Sequence, residues 1–373
     1  MGRSTPQKHV VIVGGGFAGI RCSLLLQQAF KITLVDAKDY YEYTPSNLRC
    51  LIHPDHLKRT IVPHRPDVLQ GIVTAVSALP GSHGGQITLQ SGDTLDFDYC
   101  LLCLGSTYAA PIKPLIPAQA HLPDRFAQFE AAHQQLAAAK HIVIIGGGAV
   151  GVELAAEIVG RWNKGQKQVT LVTSKDRVLE RMAQAASMAA LRTEVVLQTD
   201  QGRTLVADLV YDCVGVKPCG IVFDPPLAGH QRSELTAPIP VEPTLQVCGL
   251  QTLLALGDCC NTDEEKCAFT AELDAMLAAE NICRLDDGRP LLTYPQGVCG
   301  GAAQPPTMAV ISLYKHTAIL QMRGLVLTGR LPAFMKQMVE YLMVQSARGS
   351  WVHDIFWMGL KRAMLALLRL WGH

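Results

Sequence analysis

The sequence predicts an α/β protein with two Rossmann-like domains, the first of which is split in sequence by insertion of the second. Two observations lead to this prediction. A buried strand, a glycine-rich turn and a helix follow one another near residue 10, and the same order returns near residue 142. A later apolar strand ends in Gly257-Asp258, where the chain is expected to rejoin the first sheet. Residues 304–373 are expected to form a C-terminal α/β layer.

Composition excludes several classes of protein. Of the 373 residues, 49% are hydrophobic and 17% are charged, which excludes a disordered chain. The 33 basic and 32 acidic side chains nearly cancel, so the chain lacks the basic surface that nucleic-acid binding requires. No apolar run reaches the ~18 residues of a membrane-spanning helix. The twelve cysteines lie mostly in apolar runs and no secretion signal is recognisable, so we expect an intracellular protein, cytoplasmic or peripheral to an organelle membrane.

The first glycine-rich turn predicts a dinucleotide site. It follows the strand His9–Val13 and consists of Gly14, Gly15, Gly16, Phe17, Ala18 and Gly19. Gly14 permits the tight turn, Gly16 lets the backbone approach a pyrophosphate, and Gly19 allows close packing of helix and strand. The next strand ends in Asp36, at the spacing expected for a carboxylate that binds a ribose hydroxyl.

The second turn has the same pattern and predicts a second dinucleotide. It follows the strand His141–Ile145 and contains Gly146, Gly148 and Gly151. Its second strand ends in Thr173-Ser174-Lys175, without a carboxylate to repel a 2′-phosphate, so NADPH is admissible beside NADH. The alternative is a glycine turn with only a structural role.

The strand before Gly257 and Asp258 fits the T-x-x-x-A-x-G-D pattern that closes a flavin site, which makes FAD the expected resident cofactor.

Several segments resemble the two-dinucleotide-binding-domain flavoproteins, specifically their apoptosis-inducing-factor-like and ferroptosis-suppressor-like branch. The chain is also similar to the type II NADH:quinone oxidoreductases. The segments that carry this resemblance are 10–17, 34–39, 47–49, 70–73, 101–106, 150–153, 255–259 and 326–330. Together they extend over almost the whole chain. The resemblance implies an FAD-dependent NAD(P)H oxidoreductase whose acceptor is a quinone-type small molecule.

The same resemblance implies roles for individual residues. The residues implied to contact FAD are Gly14 to Ala18, Asp36, Lys38, Arg49, Val73, Gly257 and Asp258. Arg49 would offset the phosphate charges, with a surface ion pair as the alternative. Glu153 would meet the nicotinamide, or else serve as a first-turn carboxylate of its helix. Phe269 and Glu272 correspond to positions on the acceptor side. No residue is assigned a catalytic role.

The stretch between residues 172 and 207 is shorter than a full nicotinamide domain requires. We expect only a helix over Arg177–Leu191 and a hairpin of Thr193–Gln198 with Thr204–Val210, so a strand and its crossover would be missing. A degenerate nicotinamide site would leave a redox-sensing or interaction protein that binds FAD. A disulfide reductase is excluded, because Cys50 is the only cysteine between residues 23 and 99.

The expected boundaries are 1–139 and 218–303 for the two parts of the FAD domain, 140–217 for the nicotinamide domain and 304–373 for the C-terminal domain. Metal binding is not expected, since Cys100 and Cys103 lie in a strand that points them to opposite faces. In the terminal helix Asp354–Trp371, one narrow sector holds the charged residues Asp354, Lys361, Arg362 and Arg369. Such a helix fits a membrane interface; the alternatives are docking on the protein itself or a homodimer contact.

Overall fold

A computed structural model describes residues 7–81, 83–114, 120–162, 165–180, 182, 196–199, 207–226, 236–299, 308–322 and 324–370. The strands are β1 (His9–Val13), β2 (Lys31–Asp36), β3 (Tyr40–Glu42), β4 (Ile61–Pro63), β5 (Val68–Gln70), β6 (Val73–Ser77), β7 (Gly85–Leu89), β8 (Thr94–Phe97), β9 (Tyr99–Leu102), β10 (Ser106–Thr107), β11 (His141–Ile145), β12 (Gln168–Thr173), β13 (Val196–Thr199), β14 (Leu209–Asp212), β15 (Lys217–Pro218), β16 (Val222–Phe223), β17 (Leu253–Ala255), β18 (Met308–Ser312), β19 (Ala318–Met322) and β20 (Leu325–Gly329). The helices are α1 (Phe17–Leu26), α2 (Asn47–Ile52), α3 (Leu57–Thr60), α4 (Leu122–Ala138), α5 (Ala149–Arg161), α6 (Ala268–Asp286), α7 (Gln296–Cys299), α8 (Arg330–Ala347) and α9 (Trp351–Leu370).

The first domain is built on a parallel sheet of five strands in the order β17-β9-β1-β2-β5. Strand β1 is apolar throughout because both of its faces are covered. Val10 and Ile12 pack in one core with α1 and α6, whereas Val11 and Val13 pack in the other with β6 and β7. A second sheet, β16-β6-β7-β8, therefore forms the opposite layer. Strands β6 and β7 pair as an antiparallel hairpin.

The inserted segment contains a four-stranded parallel sheet in the order β13-β12-β11-β14. The predicted hairpin of Thr193–Gln198 with Thr204–Val210 is wrong: β13 and β14 lie at opposite edges of the sheet, each parallel to its neighbour. A parallel third strand is therefore present. Of the predicted helix Arg177–Leu191, residues 177–180 form a bend and turns, and all but one of the others lie outside the described residues.

Two short strands join the domains where the chain leaves the first sheet and where it returns. Strand β10 pairs antiparallel with β15, so that Ser106 lies opposite Pro218 and Thr107 opposite Lys217. Strand β15 lies at the predicted boundary at residue 217, whereas β10 lies well before the predicted boundary at residue 140. The domain limits remain a prediction.

The C-terminal layer is an antiparallel sheet, β18-β19-β20, followed by α8 and α9. Ile311 and Ile319 pack in a core shared with α2, α4 and α5, whereas Leu342 and Trp357 pack against α1 and α6. The layer thus contacts both nucleotide domains. No helix in the described ranges is long and apolar enough to cross a bilayer.

Helix α9 turns part of its charged sector toward the protein, whereas the charge pattern suggests that this sector faces water. Lys361 is fully buried and bonds to Glu272, so the charged sector faces the protein instead of water at this position. The outer face is apolar, with exposed fractions of 63% for Ile355 and 57% for Phe356. Asp354 likewise points inward and bonds to Arg21 of α1. The side chain of Arg369 lies outside the described part of the structure.

Candidate active site

The first glycine turn lies where β1 ends and α1 begins, and its geometry requires glycine at a defined position. The Gly14 amide donates to the Val35 carbonyl at 2.7 Å, which fixes the turn to β2. A Cβ on Gly19 would lie 1.8 Å from the Gly14 carbonyl oxygen, so no side chain fits there. In contrast, nothing lies within 4 Å of a Cβ placed on Gly16. The turn therefore leaves space in front of the helix N-terminus, where a pyrophosphate can bind.

Asp36, at the end of β2, is held by four donors. Its Oδ2 accepts the Gly15 amide hydrogen at 2.6 Å, and its Oδ1 accepts the Lys38 amide at 2.8 Å and the Lys38 ammonium at 3.0 Å. His64 Nε2 lies 3.3 Å from Oδ2. Burial alone would raise the pKa of Asp36, but Lys38 and His64 together hold it well below its ordinary value. The carboxylate is therefore ionised and fixed beside the turn, as ribose binding requires.

The loop at Gly257 and Asp258 follows β17 at the same edge of the sheet and approaches the same turn. A Cβ on Gly257 would lie 3.8 Å from the Cβ of Ala18, so the two sequence motifs meet in space. Asp258 accepts a hydrogen bond from Ser106 at 2.6 Å, and the Lys113 ammonium donates to the same hydroxyl oxygen at 2.6 Å. A serine and a lysine thus fix the carboxylate at the mouth of the site.

Val73 begins β6 at the edge of this site. Two residues earlier, the Gly71 amide donates to the Asp36 carbonyl at 2.8 Å. This bond places the backbone of residues 71–73 beside the end of β2. The structure therefore brings Val73, Asp36 and the first turn together.

The second turn repeats the geometry of the first. The Gly146 amide donates to the Val172 carbonyl at 2.8 Å, and a Cβ on Gly151 would lie 1.9 Å from the Gly146 carbonyl oxygen. Nothing lies within 4 Å of a Cβ on Gly148. The nearest side chain to Gly147 is that of Thr173, which occupies the position that Asp36 has in the first domain. This turn is complete, which argues against a degenerate nicotinamide site.

Lys175 follows Thr173 on the surface beside this turn. Its backbone amide donates to the Thr173 hydroxyl at 3.2 Å, and its ammonium lies 3.3 Å from a Glu180 oxygen. The side chains of Lys175 and Glu180 are 59% and 50% exposed. Such a pair is weak in water, so the ammonium remains available to an anionic ligand.

A polar cleft lies between α2, α5 and the C-terminal layer. Glu153 of α5 is buried, and its Oε1 accepts the Ser312 amide at 2.6 Å and the Lys336 ammonium at 2.5 Å. On the same cleft, Ser46 bonds to Glu340, which also accepts from His56 at 3.1 Å. Glu153 therefore joins the second domain to α8. In the structure its partners are protein groups, and its predicted nicotinamide contact is not tested.

Arg49 also lines this cleft, and the structure gives it a partner other than the first turn. Its guanidinium donates to Glu157 of α5 at 2.7 Å and to the Tyr314 carbonyl at 2.8 Å. Burial raises the pKa of Glu157, while Arg49 opposes that rise. The predicted phosphate contact of Arg49 therefore remains a prediction, and in the structure Arg49 bridges the two nucleotide domains.

Aromatic rings connect the first turn with the polar cleft. The Phe17 ring packs edge-on against Tyr43, with centroids 5.5 Å apart, and against Tyr41 at 5.9 Å. Burial, followed by the charges of Glu340 and Glu153, raises the pKa of Tyr43. The first turn, the aromatic rings and the cleft are thus continuous.

Two glycine turns of the same geometry, each with open space before its helix, are typical of oxidoreductases with two dinucleotides. Residues 8–279 match the family described as pyridine nucleotide-disulphide oxidoreductase. The chain belongs to this family. Membership of the pyridine nucleotide-disulphide oxidoreductases confirms the predicted α/β fold class and makes the chain an oxidoreductase that uses FAD together with NADH or NADPH.

Individual members show the same relationship. Ferroptosis suppressor protein 1 of Homo sapiens is 30% identical over 324 residues, which cover 78% of this chain and 84% of the relative. Sulfide:quinone oxidoreductase of Aquifex aeolicus superposes with a TM-score of 0.72 at 17% identity, covering 95% of this chain and 96% of that chain. NDH2 of Plasmodium falciparum in complex with NADH gives a TM-score of 0.64 at 11% identity, covering 95% and 98%. The predicted resemblance is confirmed, and the two structures share the fold.

Three site residues escaped the sequence reasoning because their partners are distant in sequence. His64 reaches Asp36 from 28 residues away, Lys113 lies across the loop from Asp258, and Lys336 pairs with Glu153 183 residues earlier. Each is a single basic residue without a local motif. The predicted acceptor-side role of Glu272 is not supported, since its carboxylate is occupied by Arg21, Trp357 and Lys361 in the interior.

Proposed function

We propose that this chain is an FAD-dependent NAD(P)H oxidoreductase that delivers two electrons to a quinone-type acceptor. The observation that carries the proposal is the pair of complete glycine turns. The Asp258 loop lies against the first turn, and the polar cleft between α2, α5 and the C-terminal layer lies nearby. FAD, when bound, accepts a hydride from the reduced nicotinamide and returns the electrons as a pair. The protein contributes binding and orientation.

The first turn fits the resident cofactor. Residues Gly14 to Gly19 would surround the pyrophosphate, Asp36 would accept from the ribose hydroxyls, and Lys38 would stay beside that carboxylate. The main chain at Val73 would lie against the adenine end. Gly257 and Asp258 would close the site near the ribityl chain. The open space before Gly16 supports this assignment, because no side chain has to move for a phosphate to enter.

The second turn fits an exchanging donor, held by Gly146, Gly148 and Gly151. Thr173 offers a hydroxyl where a carboxylate would exclude a 2′-phosphate, and Lys175 adds positive charge nearby. NADPH is thus as compatible with this turn as NADH.

The acceptor is assigned to the polar cleft on the side of α8. Lys336 is a cation of that cleft, with 15% of its side chain exposed and Glu153 as its partner. An ammonium in this position can donate to a quinone carbonyl oxygen and stabilise the negative charge that develops on it. Glu153 fixes the position of that ammonium.

We also propose that the outer face of α9 lies on a membrane surface, from which a lipid-soluble quinone would arrive. Trp351, Val352, Ile355 and Phe356 are each more than half exposed and adjacent on this helix. An apolar helix face of this kind fits the boundary between headgroups and acyl chains. A second copy of the chain is the other occupant, and light scattering with and without anionic vesicles distinguishes the two.

The test uses matched substitutions in the two turns. Gly16→Asp and Gly148→Asp both place a carboxylate in open space, so both variants should fold. Gly148→Asp should retain FAD but lose the bleaching of flavin absorbance by NADH and NADPH under anaerobic conditions. Gly16→Asp should be purified without FAD. In the wild type, a short-chain ubiquinone added after bleaching should restore the absorbance.

A yellow wild-type protein that stays oxidised under excess NADH and NADPH would refute the enzymatic function and leave only the redox-sensing or interaction role. Bleaching without recovery on adding quinone would refute the acceptor alone. Loss of FAD in both glycine variants would mean that the two turns do not act separately.

A further inference from the structure

Two buried carboxyl groups meet beneath the loop that carries Asp258. Asp274 of α6 is fully buried, and its Oδ2 accepts the Gly257 amide hydrogen at 2.9 Å. Among the described residues, no N–H group and no alcohol or phenol hydroxyl donates a hydrogen bond to its Oδ1. The carboxyl of Glu264 lies within hydrogen-bonding reach of Asp274, and only 1% of the Glu264 side chain is exposed. Two carboxyl groups can bond to each other only if one of them carries a proton.

The cation beside the two acids has another hydrogen-bond partner. The Lys266 ammonium is 3.9 Å from Glu264 and donates instead to the Thr262 hydroxyl at 2.6 Å. The Tyr294 hydroxyl donates to Glu264. The titratable groups that face Asp274 are Glu264, Lys266, Cys260 and Tyr294. Burial, and after it the charge of Glu264, raises the pKa of Asp274 well above its ordinary value.

We propose that Asp274 and Glu264 share one proton, and that this proton holds the Gly257–Asp258 loop in place for FAD and makes FAD binding pH-dependent. The inference rests on the proposed binding of FAD at this loop. Asp274 is a positioning residue, since it acts through the Gly257 amide. The shared proton also supplies the donor that Asp274 Oδ1 otherwise lacks.

The direction of the pH effect follows from charge. The raised pKa of Asp274 means that the folded loop is stabilised at low pH and loses that stabilisation as the pH rises through the value of the folded state. Loss of the shared proton leaves two adjacent carboxylates, which repel each other beside the loop. The additional negative charge lies beneath the Gly257–Asp258 loop, at which the proposed function places FAD. FAD affinity should therefore fall as the pH rises.

The experiment measures release of FAD from the diluted holoprotein, through the rise in flavin fluorescence, from about pH 6 to about pH 9, a range that includes the pKa values of buried carboxyl groups. The Kd of the wild type should rise about tenfold over this range, the effect of one additional charge at close range. Asp274→Asn can still accept from Gly257 and can donate to Glu264, so its Kd should stay at the low-pH value. Glu264→Gln should behave in the same way and carries the test if Asp274→Asn does not fold.

Two further variants make the result specific. Glu280→Gln, on the same helix but with a 43% exposed side chain paired with Arg284, is the matched control and should keep the wild-type dependence. Asp274→Ala loses the Gly257 contact, so its Kd at low pH should exceed that of Asp274→Asn. A flat wild-type profile, or an unchanged pH dependence in Asp274→Asn and Glu264→Gln, would overturn the inference. Absence of FAD from every protein at every pH would refute the proposed function instead.

Discussion

Substitution of Lys361 is expected to loosen helix α9 without altering either glycine turn. The Lys361 ammonium is fully buried and bonds to Glu272 of α6. Glu272 also accepts from the Trp357 indole at 2.8 Å and from Arg21 at 3.3 Å. Arg21 in turn bonds to Asp354 at the start of α9. Burial lowers the pKa of Lys361, but Glu272 bonds to its ammonium, so two cations and two carboxylates balance inside the interface between the terminal helix and the first domain.

The size of the effect follows from this balance. Lys361→Met leaves two carboxylates with one cation, and Glu272→Met leaves two cations with one carboxylate. Removing one member of a buried pair costs about 3–5 kcal/mol, because the remaining charge stays without compensation. The double variant Lys361→Met/Glu272→Met removes both charges and leaves the Arg21–Asp354 pair intact. Its stability should lie within about 1 kcal/mol of the wild type, since apolar replacements of buried pairs are often nearly neutral.

Hydrogen exchange of the α9 amides measures this effect locally, because exchange there reports the opening of the helix. Each single variant should raise the opening equilibrium by a factor of about 10² to 4 × 10³, whereas the double variant should differ from the wild type by about tenfold or less. Amides of β11, in the second domain, provide an internal control and should keep their protection. If the double variant equals the sum of the two single variants, the charges do not compensate each other and the reasoning is wrong.

Two predictions concern the sites themselves. Lys336→Met should lower kcat/KM for a short-chain ubiquinone about 10²-fold, while the anaerobic bleaching of flavin by NADH stays at the wild-type rate and Lys336→Arg recovers part of the loss. Asp36→Asn should destabilise the FAD-free protein by roughly 2 kcal/mol at neutral pH, because a buried charge-assisted bond is lost. The pKa of Asp36 is held below its ordinary value, so its contribution to folding stability is present at neutral pH and disappears as the pH falls below about 4. The difference in melting temperature between Asp36→Asn and the wild type should therefore shrink over the same pH range.

The two glycine turns could be predicted because each is encoded within a short stretch. The strand, the turn and the start of the helix lie within about a dozen residues in both domains, and each glycine answers a local steric demand. Strand β1 and strand β11 have the predicted bounds. The error in the inserted domain has a physical reason as well. Two strands separated by a short polar stretch are compatible both with a hairpin and with placement at opposite edges of a parallel sheet, and only tertiary pairing decides between them.

The orientation of α9 could not be read from its sequence. Its charge pattern shows that the helix has two faces, but not which face meets the protein. Lys361 and Asp354 turn inward because Glu272 and Arg21 provide partners, and these partners lie 89 and 340 positions from Lys361 in sequence. Arg362, in the same sector, is exposed. The same distance in sequence concealed the pairing of Lys336 with Glu153. Charged residues of this kind acquire their roles only when the fold brings them together.

The differences between the two turns explain why one nucleotide is expected to stay and the other to exchange. At the ribose position, Gly15 faces the ionised carboxylate of Asp36, whereas Gly147 faces the neutral hydroxyl of Thr173. The first turn is also covered by the Asp258 loop, which Ser106 and Lys113 hold in place. Among the described residues, no loop of comparable construction covers the second turn. We therefore expect a nucleotide on the first turn to be held more tightly than one on the second turn.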